Sequence, residues 1–244
     1  MMEKRMLLLI GTCFLCLACT KKPVFEEPKV ILHVNTSSYS SMQQATSNQS
    51  TSNPPTSNPP SLLITVPFSP QAPFAKWDPL HEEACEEMSL IMVDRFLRGT
   101  SLSLNEAEVE VQKLIAWETD EGYGNDVNIS QLGSIAEEYY GHRARVIENV
   151  TSDMIKSELA AGHPVIVPAA GRDLRNPFFS GDGPWYHMLV VTGYTRDGFI
   201  TNDPGTKRGE KYWYPTERLM NAIHDWTGVK EEIREGARRV LVVE

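Results

Sequence analysis

Cysteine is scarce in this sequence. The chain has 244 residues and 4 cysteines, of which only Cys85 lies beyond residue 19. Without a second cysteine in the part expected to fold, Cys85 cannot be half of an intramolecular disulfide. It is therefore either a small apolar residue of the core or a nucleophile.

Basic charge is also in short supply. The chain carries 23 Lys and Arg against 32 Asp and Glu, a formal net charge of -9, and its basic residues form no stripe. A surface of this charge repels phosphate groups. We therefore expect neither nucleic acid nor an anionic membrane face as a partner.

Metal-ligand spacing is missing as well. Residues 81–85 read His-Glu-Glu-Ala-Cys, which lacks the second histidine of the His-Glu-x-x-His zinc motif. The sequence has no other cluster of histidine and cysteine. We expect no metal and no cofactor.

No apolar run reaches the about 20 residues of a membrane-spanning helix. The run at residues 6–17 follows two basic residues and predicts a signal peptide over residues 1–18. The pair Ala18-Cys19 resembles the lipobox of bacterial lipoproteins, in which cleavage leaves the cysteine lipid-modified, although Cys16 stands where leucine is usual. We expect an extracytoplasmic protein, held at the cell membrane only by lipid on Cys19. Simple secretion and an uncleaved anchor are the alternatives.

Residues 19–62 show no apolar periodicity, and residues 51–55 and 56–60 both read Thr-Ser-Asn-Pro-Pro. Such a segment cannot bury enough apolar surface to offset its ordering entropy. It is predicted to be a disordered tether. Residues 63–244 are enough for one domain of ordinary size.

The domain opens with helical patterns. The predicted helices start at Cys85 and at the caps Ser103, Ser130 and Thr151. The first is expected to stop at Gly99 and the second at about residue 118. These four helices make up the first half of the domain.

Strand patterns follow the helices. Short apolar runs occupy residues 164–168, 187–194 and 198–202, and Asp197-Gly198 is a hairpin signal between the last two. A short helix is predicted at 216–222 and a final strand at 238–243, whereas residues 170–184 and 204–215 have the character of loops. Helices followed by an antiparallel sheet indicate an α+β fold.

Three residues have the types and the chain order of a thiol hydrolase. Cys85 opens a helix, whose N-terminal partial charge favours the thiolate. His187 starts a strand and Asp203 ends the next one, so a hairpin can bring them together. The residues alone leave other readings open: a core cysteine, a hydrogen-bonded core histidine, and a turn aspartate before Pro204.

Four segments together resemble papain-like cysteine peptidases of the bacteriocin-processing, double-glycine type, in the free-standing form called "-like" domains. They are Val-Pro-Phe-Ser-Pro-Gln at 66–71, Glu-Ala-Cys at 83–85, Gly-His-Pro-Val-Ile-Val at 162–167, and the strand 186–194 followed by Asn-Asp-Pro at 202–204. The resemblance spans nearly all of residues 64–244. It implies a papain-like fold with the cysteine helix packed on the sheet.

The resemblance also implies roles for four residues. Cys85 is the nucleophile, His187 the general base and acid, and Asp203 the carboxylate that orients the imidazole. Gln71 supplies the side-chain donor of the oxyanion hole, beside the backbone N–H of Cys85. Gln71 as an ordinary exposed polar residue is the alternative.

One departure from the family pattern concerns charge. Many relatives have Gly-Pro after the cysteine, whereas this chain has Glu86-Glu87 there and Glu82-Glu83 just before it. Carboxylates around a thiol oppose its ionisation.

We therefore expect a cysteine hydrolase that cleaves peptide bonds through an S-acyl intermediate. Two alternatives remain open. One is a thiol acyltransferase or cell-wall amidase using the same residues, and the other is an inactive papain-like binding module.

Overall fold

The computed structural model describes residues 59–244, in which most helices precede most strands along the chain. The helices are α1 Pro79–Glu82, α2 Cys85–Leu97, α3 Leu104–Glu121, α4 Ile129–Glu138, α5 Ser152–Ala160, α6 Gly171–Leu174 and α7 Thr216–Ala222. The strands are β1 Leu62–Leu63, β2 Ala144–Ile147, β3 Val165–Ala170, β4 Tyr186–Tyr194, β5 Gly198–Asn202, β6 Tyr212–Pro215 and β7 Val240–Val243. A 3₁₀ helix spans Lys230–Glu235.

All strand pairs are antiparallel. The strands follow the order β2-β7-β3-β4-β5-β6, and the short β1 also pairs with β4. The strands β3 and β4 occupy the centre and pair along their length, so His187 lies opposite Ala169. The sheet therefore holds the start of β4 and the end of β5 in fixed positions.

The sheet separates two apolar clusters. On one face, Met188 and Val190 of β4 pack with residues of α2, α3 and α4, including Cys85. On the other face, Leu189 and Val191 pack with residues of α5 and α7. Alternate side chains of a strand point to opposite faces, so a strand covered on both sides is apolar throughout. This is why β3 and β4 appear in the sequence as continuous apolar runs.

The predicted α+β class is confirmed, and most predicted elements occur where expected. The capping box of Ser103 and Glu106 is present at the start of α3, and Thr151 caps α5. The predicted cap Ser130 is wrong, because Asn128 caps α4 through a reciprocal pair with Gln131. Asparagine two residues earlier satisfies the same free N–H groups.

The interpretation of residues 204–215 and 170–184 as loops was partly wrong. Residues 212–215 form β6, which pairs with β5, and residues 171–174 form α6. The strand β2 between α4 and α5 was also missed. These elements are short and depend on partners distant in the chain, so they leave little local periodicity.

Membrane-spanning helices are not among the elements of residues 59–244: none of the helices there is long and apolar enough to cross a bilayer. The predicted signal peptide, the lipid-bearing Cys19 and nearly all of the predicted tether lie outside the described residues. They stay predictions.

Candidate active site

Cys85 is the first residue of α2 and is 5% exposed. The first-turn N–H groups of a helix have no intrahelical acceptor. The N-cap residue of α2, Ala84, supplies no side-chain acceptor for them either. They leave partial positive charge beside the thiol, which favours its ionised form. The fold thus provides one of the conditions for a reactive cysteine.

The immediate partners of the thiol have the opposite effect. Sγ of Cys85 donates a hydrogen bond of 2.9 Å to Oε2 of Glu86. Burial and the carboxylates of Glu86 and Glu87 raise the pKa of Cys85 well above its usual value, and the N–H of Met188 only partly opposes them. The thiol is therefore held in its protonated form.

His187 and Asp203 form a buried pair. Nε2 of His187 lies 2.7 Å from Oδ1 of Asp203, and the two residues are 1% and 0% exposed. Because Nε2 is engaged, Nδ1 is the ring nitrogen left for proton transfer. The hairpin of β4 and β5 brings together two residues that are 16 positions apart, as the sequence predicted.

Three further donors hold the carboxylate of Asp203. Its Oδ1 accepts the N–H of Gly205 at 3.0 Å, while Oδ2 accepts Tyr214 Oη at 2.6 Å and Asn176 Nδ2 at 3.0 Å. Burial alone would raise the pKa of Asp203, but the charge and hydrogen bond of His187 and these donors hold it below its usual value. Asp203 therefore stays ionised and is fixed in place.

Sequence reasoning missed Tyr214 and Asn176. Both lie in stretches that had been interpreted as loops, and the strand β6 is what turns Tyr214 inward towards Asp203. The only local signal is that Asn176 precedes a proline, which is common in turns. No spacing rule links residues 176, 203 and 214.

Gln71 is buried, not exposed. Its Nε2 donates to the carbonyl oxygens of His81 at 2.8 Å and Glu82 at 3.1 Å. Its Oε1 has no hydrogen-bond partner within residues 59–244. In this arrangement Gln71 braces the segment that leads into Cys85, and its predicted role as an oxyanion donor stays a prediction.

A cavity of about 590 Å³ joins these residues. Its wall includes Cys85, His187 and Gln71, with Asp203 behind His187. The aromatic residues of the wall are Trp77, Phe178, Phe179, Trp185 and Tyr186. The charged ones are Glu82, Glu83, Asp126, Lys207 and Lys230. The cavity is large enough for a peptide segment and carries both signs of charge.

The two glutamates before Cys85 and the two after it differ in their exposure. Glu82 and Glu83 reach the cavity wall, whereas Glu86 and Glu87 are 1% and 2% exposed. Of the four, only Glu86 hydrogen-bonds to the thiol.

The sequence model of the peptidase C39-like family matches residues 63–232 of this chain. The chain belongs to the peptidase C39-like family. It is a cysteine peptidase by family, and the matched residues include all four of the predicted site residues in the domain.

Solved structures of related folds resemble this C39-like chain only distantly. A C39-like peptidase from Bacillus anthracis is 17% identical with a TM-score of 0.49, covering 75% of this chain and 98% of that one. A double-glycine-motif protease of an AMS/PCAT transporter, solved with its leader peptide, is 18% identical with a TM-score of 0.42, covering 75% and 93%. Xylellain, a cysteine protease from Xylella fastidiosa, is 16% identical with a TM-score of 0.39, covering 77% and 87%. No curated protein sequence matches the chain.

Metal ligation has no evident place in the described part of this C39-like domain. Residues 59–244 contain no group of three or more His, Cys, Asp or Glu side chains that could hold a metal ion. His81 instead contacts Asp78 and Glu108 at 2.6 and 3.2 Å. Its role is to tie α1 to α3.

We expect Tyr214→Phe to lower peptide turnover. The change removes the 2.6 Å hydrogen bond to Asp203 but keeps the ring in the core. Loss of one charge-assisted hydrogen bond costs about 1.5–3 kcal/mol, part of which acts on the orientation of His187, so kcat should fall about tenfold. The pH profile of kcat/KM should also shift, which a purely structural change would not cause. An unchanged profile with a lower melting temperature would contradict this role.

A buried pair of glutamates affects the free energy of unfolding and its pH dependence. Glu87 and Glu118 line a small cavity of about 70 Å³, and each has one oxygen without a hydrogen-bond partner among the described residues. Burial raises the pKa of Glu118 to about 7, with the charge of Glu86 adding to the rise and the Glu87 hydrogen bond opposing it. The folded protein therefore binds this proton more tightly than the unfolded chain does.

We expect the free energy of unfolding to fall as the pH rises from about 5 to 8. Protonated Glu118 stabilises the fold below its unfolded pKa, and this contribution is lost as the pH passes its folded pKa of about 7. The loss is on the order of 3 kcal/mol. Urea unfolding of Glu118→Gln should show a much flatter dependence, because glutamine keeps the shape without ionising. The exposed Glu121→Gln is the control, and equal slopes in all three proteins would contradict the expectation.

Proposed function

We propose that this chain is an extracytoplasmic, lipid-anchored cysteine peptidase that cleaves peptide bonds through an S-acyl intermediate on Cys85. The observation that carries the chemistry is the buried His187–Asp203 pair, 2.7 Å apart, whose histidine shares one cavity wall with a cysteine at a helix start. Nucleophile, base and orienting carboxylate are the three parts of a thiol hydrolase.

The reaction begins with the thiol proton. When Sγ of Cys85 faces Nδ1 of His187, the imidazole accepts that proton and the thiolate attacks the carbonyl carbon of the substrate. Asp203 holds the imidazole in place and stabilises its protonated form. His187 then donates the proton to the leaving amine, and the acyl group stays on Cys85.

Water completes the cycle. His187 accepts a proton from a water molecule, whose oxygen attacks the S-acyl carbon and releases the carboxylic acid and the free thiol. The backbone N–H of Cys85 has no intrahelical acceptor and can donate to the oxyanion. Gln71, whose side chain lies in the same wall, would have to turn an N–H away from its present carbonyl partners to act as a second donor.

A peptide carrying an electrophile in place of the scissile bond tests this chemistry. We expect it to form one covalent adduct on Cys85 of the full-length protein, detected by mass spectrometry of the digested product. Preincubation with iodoacetamide should prevent the adduct. Substrates can then be sought by digesting a mixed peptide library, and adding an amine nucleophile would separate hydrolysis from acyl transfer by the products.

The proposed location depends on the N-terminal sequence. Basic residues, a short apolar run and the pair Ala18-Cys19 support a lipid-modified N-terminus. We expect the mature protein to begin at Cys19 with a lipid mass and to partition with the membrane fraction. Cys19→Ala should release it to the soluble fraction or leave it unprocessed, and an unmodified soluble wild type would contradict the proposal.

The hydrogen bond between Cys85 and Glu86 favours a second candidate, an inactive binding module of the same fold. A thiol held by a carboxylate at 2.9 Å is a poor nucleophile. Absence of any adduct with electrophilic peptides, together with tight binding of unmodified ones, would favour this candidate over the peptidase.

A further inference from the structure

We propose that Glu86 restrains the catalytic thiol: its carboxylate accepts the hydrogen bond of Cys85 in the resting enzyme and disfavours the thiolate until Sγ turns to His187. This inference deepens the proposed peptidase function and rests on it. Glu86 touches the reacting sulfur, so it belongs to the catalytic site although it is not one of the four residues that the family resemblance implies.

One carboxylate oxygen of Glu86 contacts the thiol, and the other contacts the backbone of Val127. Its Oε2 accepts Sγ of Cys85 at 2.9 Å, and its Oε1 lies 3.4 Å from the N–H of Val127. The side chain is 1% exposed, so it cannot turn out to solvent without opening the core. Among residues 59–244, the thiol makes no hydrogen bond to His187.

The groups around Glu86 are acidic or neutral. Glu87 on the same helix and Asp126 in the loop between α3 and α4 act on it with negative charge. From β4, the hydroxyl of Tyr186 donates to the Val127 carbonyl and to Asp225 instead of Glu86. Asp225 itself is neutralised by an ion pair with Arg239. His187 is engaged by Asp203.

These surroundings disfavour the thiolate form of Cys85. An S–H group can donate to a carboxylate, but a thiolate and a carboxylate at the same distance repel each other. Burial raises the pKa of Glu86 well above its usual value, and Glu87 adds to the rise. The restraint on the thiolate therefore acts at pH values where Glu86 is ionised.

The test is the alkylation rate of Cys85 by iodoacetamide as a function of pH, in full-length wild type and Glu86→Gln. Glutamine keeps the length and the acceptor for Val127 but removes the charge. Removing a charge this close should lower the thiol pKa by about 1 unit or more. Where wild-type Glu86 is ionised, the thiolate fraction then rises about tenfold, partly offset by the lower nucleophilicity of a less basic thiolate. We expect a net rise of about three- to tenfold at those pH values.

Glu87→Gln is the matched control, because it removes an equally buried charge from the same helix without touching Sγ. It should accelerate alkylation much less than Glu86→Gln. An equal effect of the two variants, or a rate in Glu86→Gln no higher than in wild type, would overturn the proposal. If Glu86→Gln does not fold, the wild-type curve alone decides, since a thiol pKa no higher than that of an ordinary cysteine would also overturn the proposal.

The outcomes for Glu86 and for the peptidase are distinguishable. Peptide cleavage that requires Cys85, combined with no effect of Glu86→Gln on alkylation, would leave the function and remove the restraint. Faster alkylation in Glu86→Gln without any peptide cleavage would leave the restraint and remove the function. The two claims can therefore fail separately.

Discussion

Cys85→Ala should abolish peptide turnover while leaving the melting temperature nearly unchanged. Without Sγ no S-acyl intermediate can form, and loss of a nucleophile from a catalytic set lowers kcat by about 10³-fold or more. Alanine fills most of the space of a buried cysteine, and Glu86 loses only one weak S–H donor, so the loss of stability should be small. The measurements are hydrolysis of a substrate found in the library digest and thermal unfolding of both proteins.

The same experiment needs a control for contaminating peptidases. Wild type alkylated with iodoacetamide should lose activity to the level of Cys85→Ala, since Cys85 is the free cysteine of the described residues. Turnover retained in both preparations would dispose of the thiol mechanism. Turnover lost on alkylation but retained in the variant would mean that the adduct merely blocks the cavity.

Asp203→Ala should lower kcat/KM by about 10²- to 10⁴-fold and also destabilise the protein. His187 would lose the acceptor at 2.7 Å that sets its ring orientation, and loss of the orienting group of a triad has an effect of this size. The hydroxyl of Tyr214 would be left buried without its acceptor, and Asn176 Nδ2 would keep only Tyr214 Oη. An unsatisfied buried donor costs about 1–3 kcal/mol, so urea unfolding should show a loss of several kcal/mol.

Activity and stability must be separated in that variant. Assays at a temperature where circular dichroism shows the variant fully folded give its intrinsic kcat/KM. Asp197→Ala, in the exposed turn between β4 and β5, is the control for loss of one aspartate and should change neither quantity. A folded Asp203→Ala with near wild-type kcat/KM would assign Asp203 a structural role only.

The outline of the fold could be predicted from the chain because its main signals are local. The cap of α3 and the helix start at Cys85 depend on residues within one turn. The strands β4 and β5 are apolar runs joined by a short turn, and their antiparallel pairing is the usual result of such a turn. By contrast, β2 and β6 are edge strands of 4 residues each, with too little periodicity to be recognised.

The residues of the candidate site also fall into two groups, those with a local sequence signal and those without one. Cysteine, histidine and aspartate could be chosen because each lies at the end of an element with a clear signal, and a family resemblance linked them. The partners Asn176 and Tyr214 could not, since they meet Asp203 only through the packing of a loop and an edge strand. The restraint by Glu86 was visible only as a nearby charge.

The sequence by itself determined the class of fold and the chain order of the candidate cysteine, histidine and aspartate, because these depend on residue type and local pattern. Only the tertiary structure decided which of the carboxylates near Cys85 contacts the thiol. Burial turns Glu86 towards the sulfur and leaves Glu82 and Glu83 in the cavity wall, and the sign and distance of a buried charge set the reactivity of the thiol. Which carboxylate contacts the sulfur depends on the packing of α2 against β4, and no local sequence pattern encodes that packing.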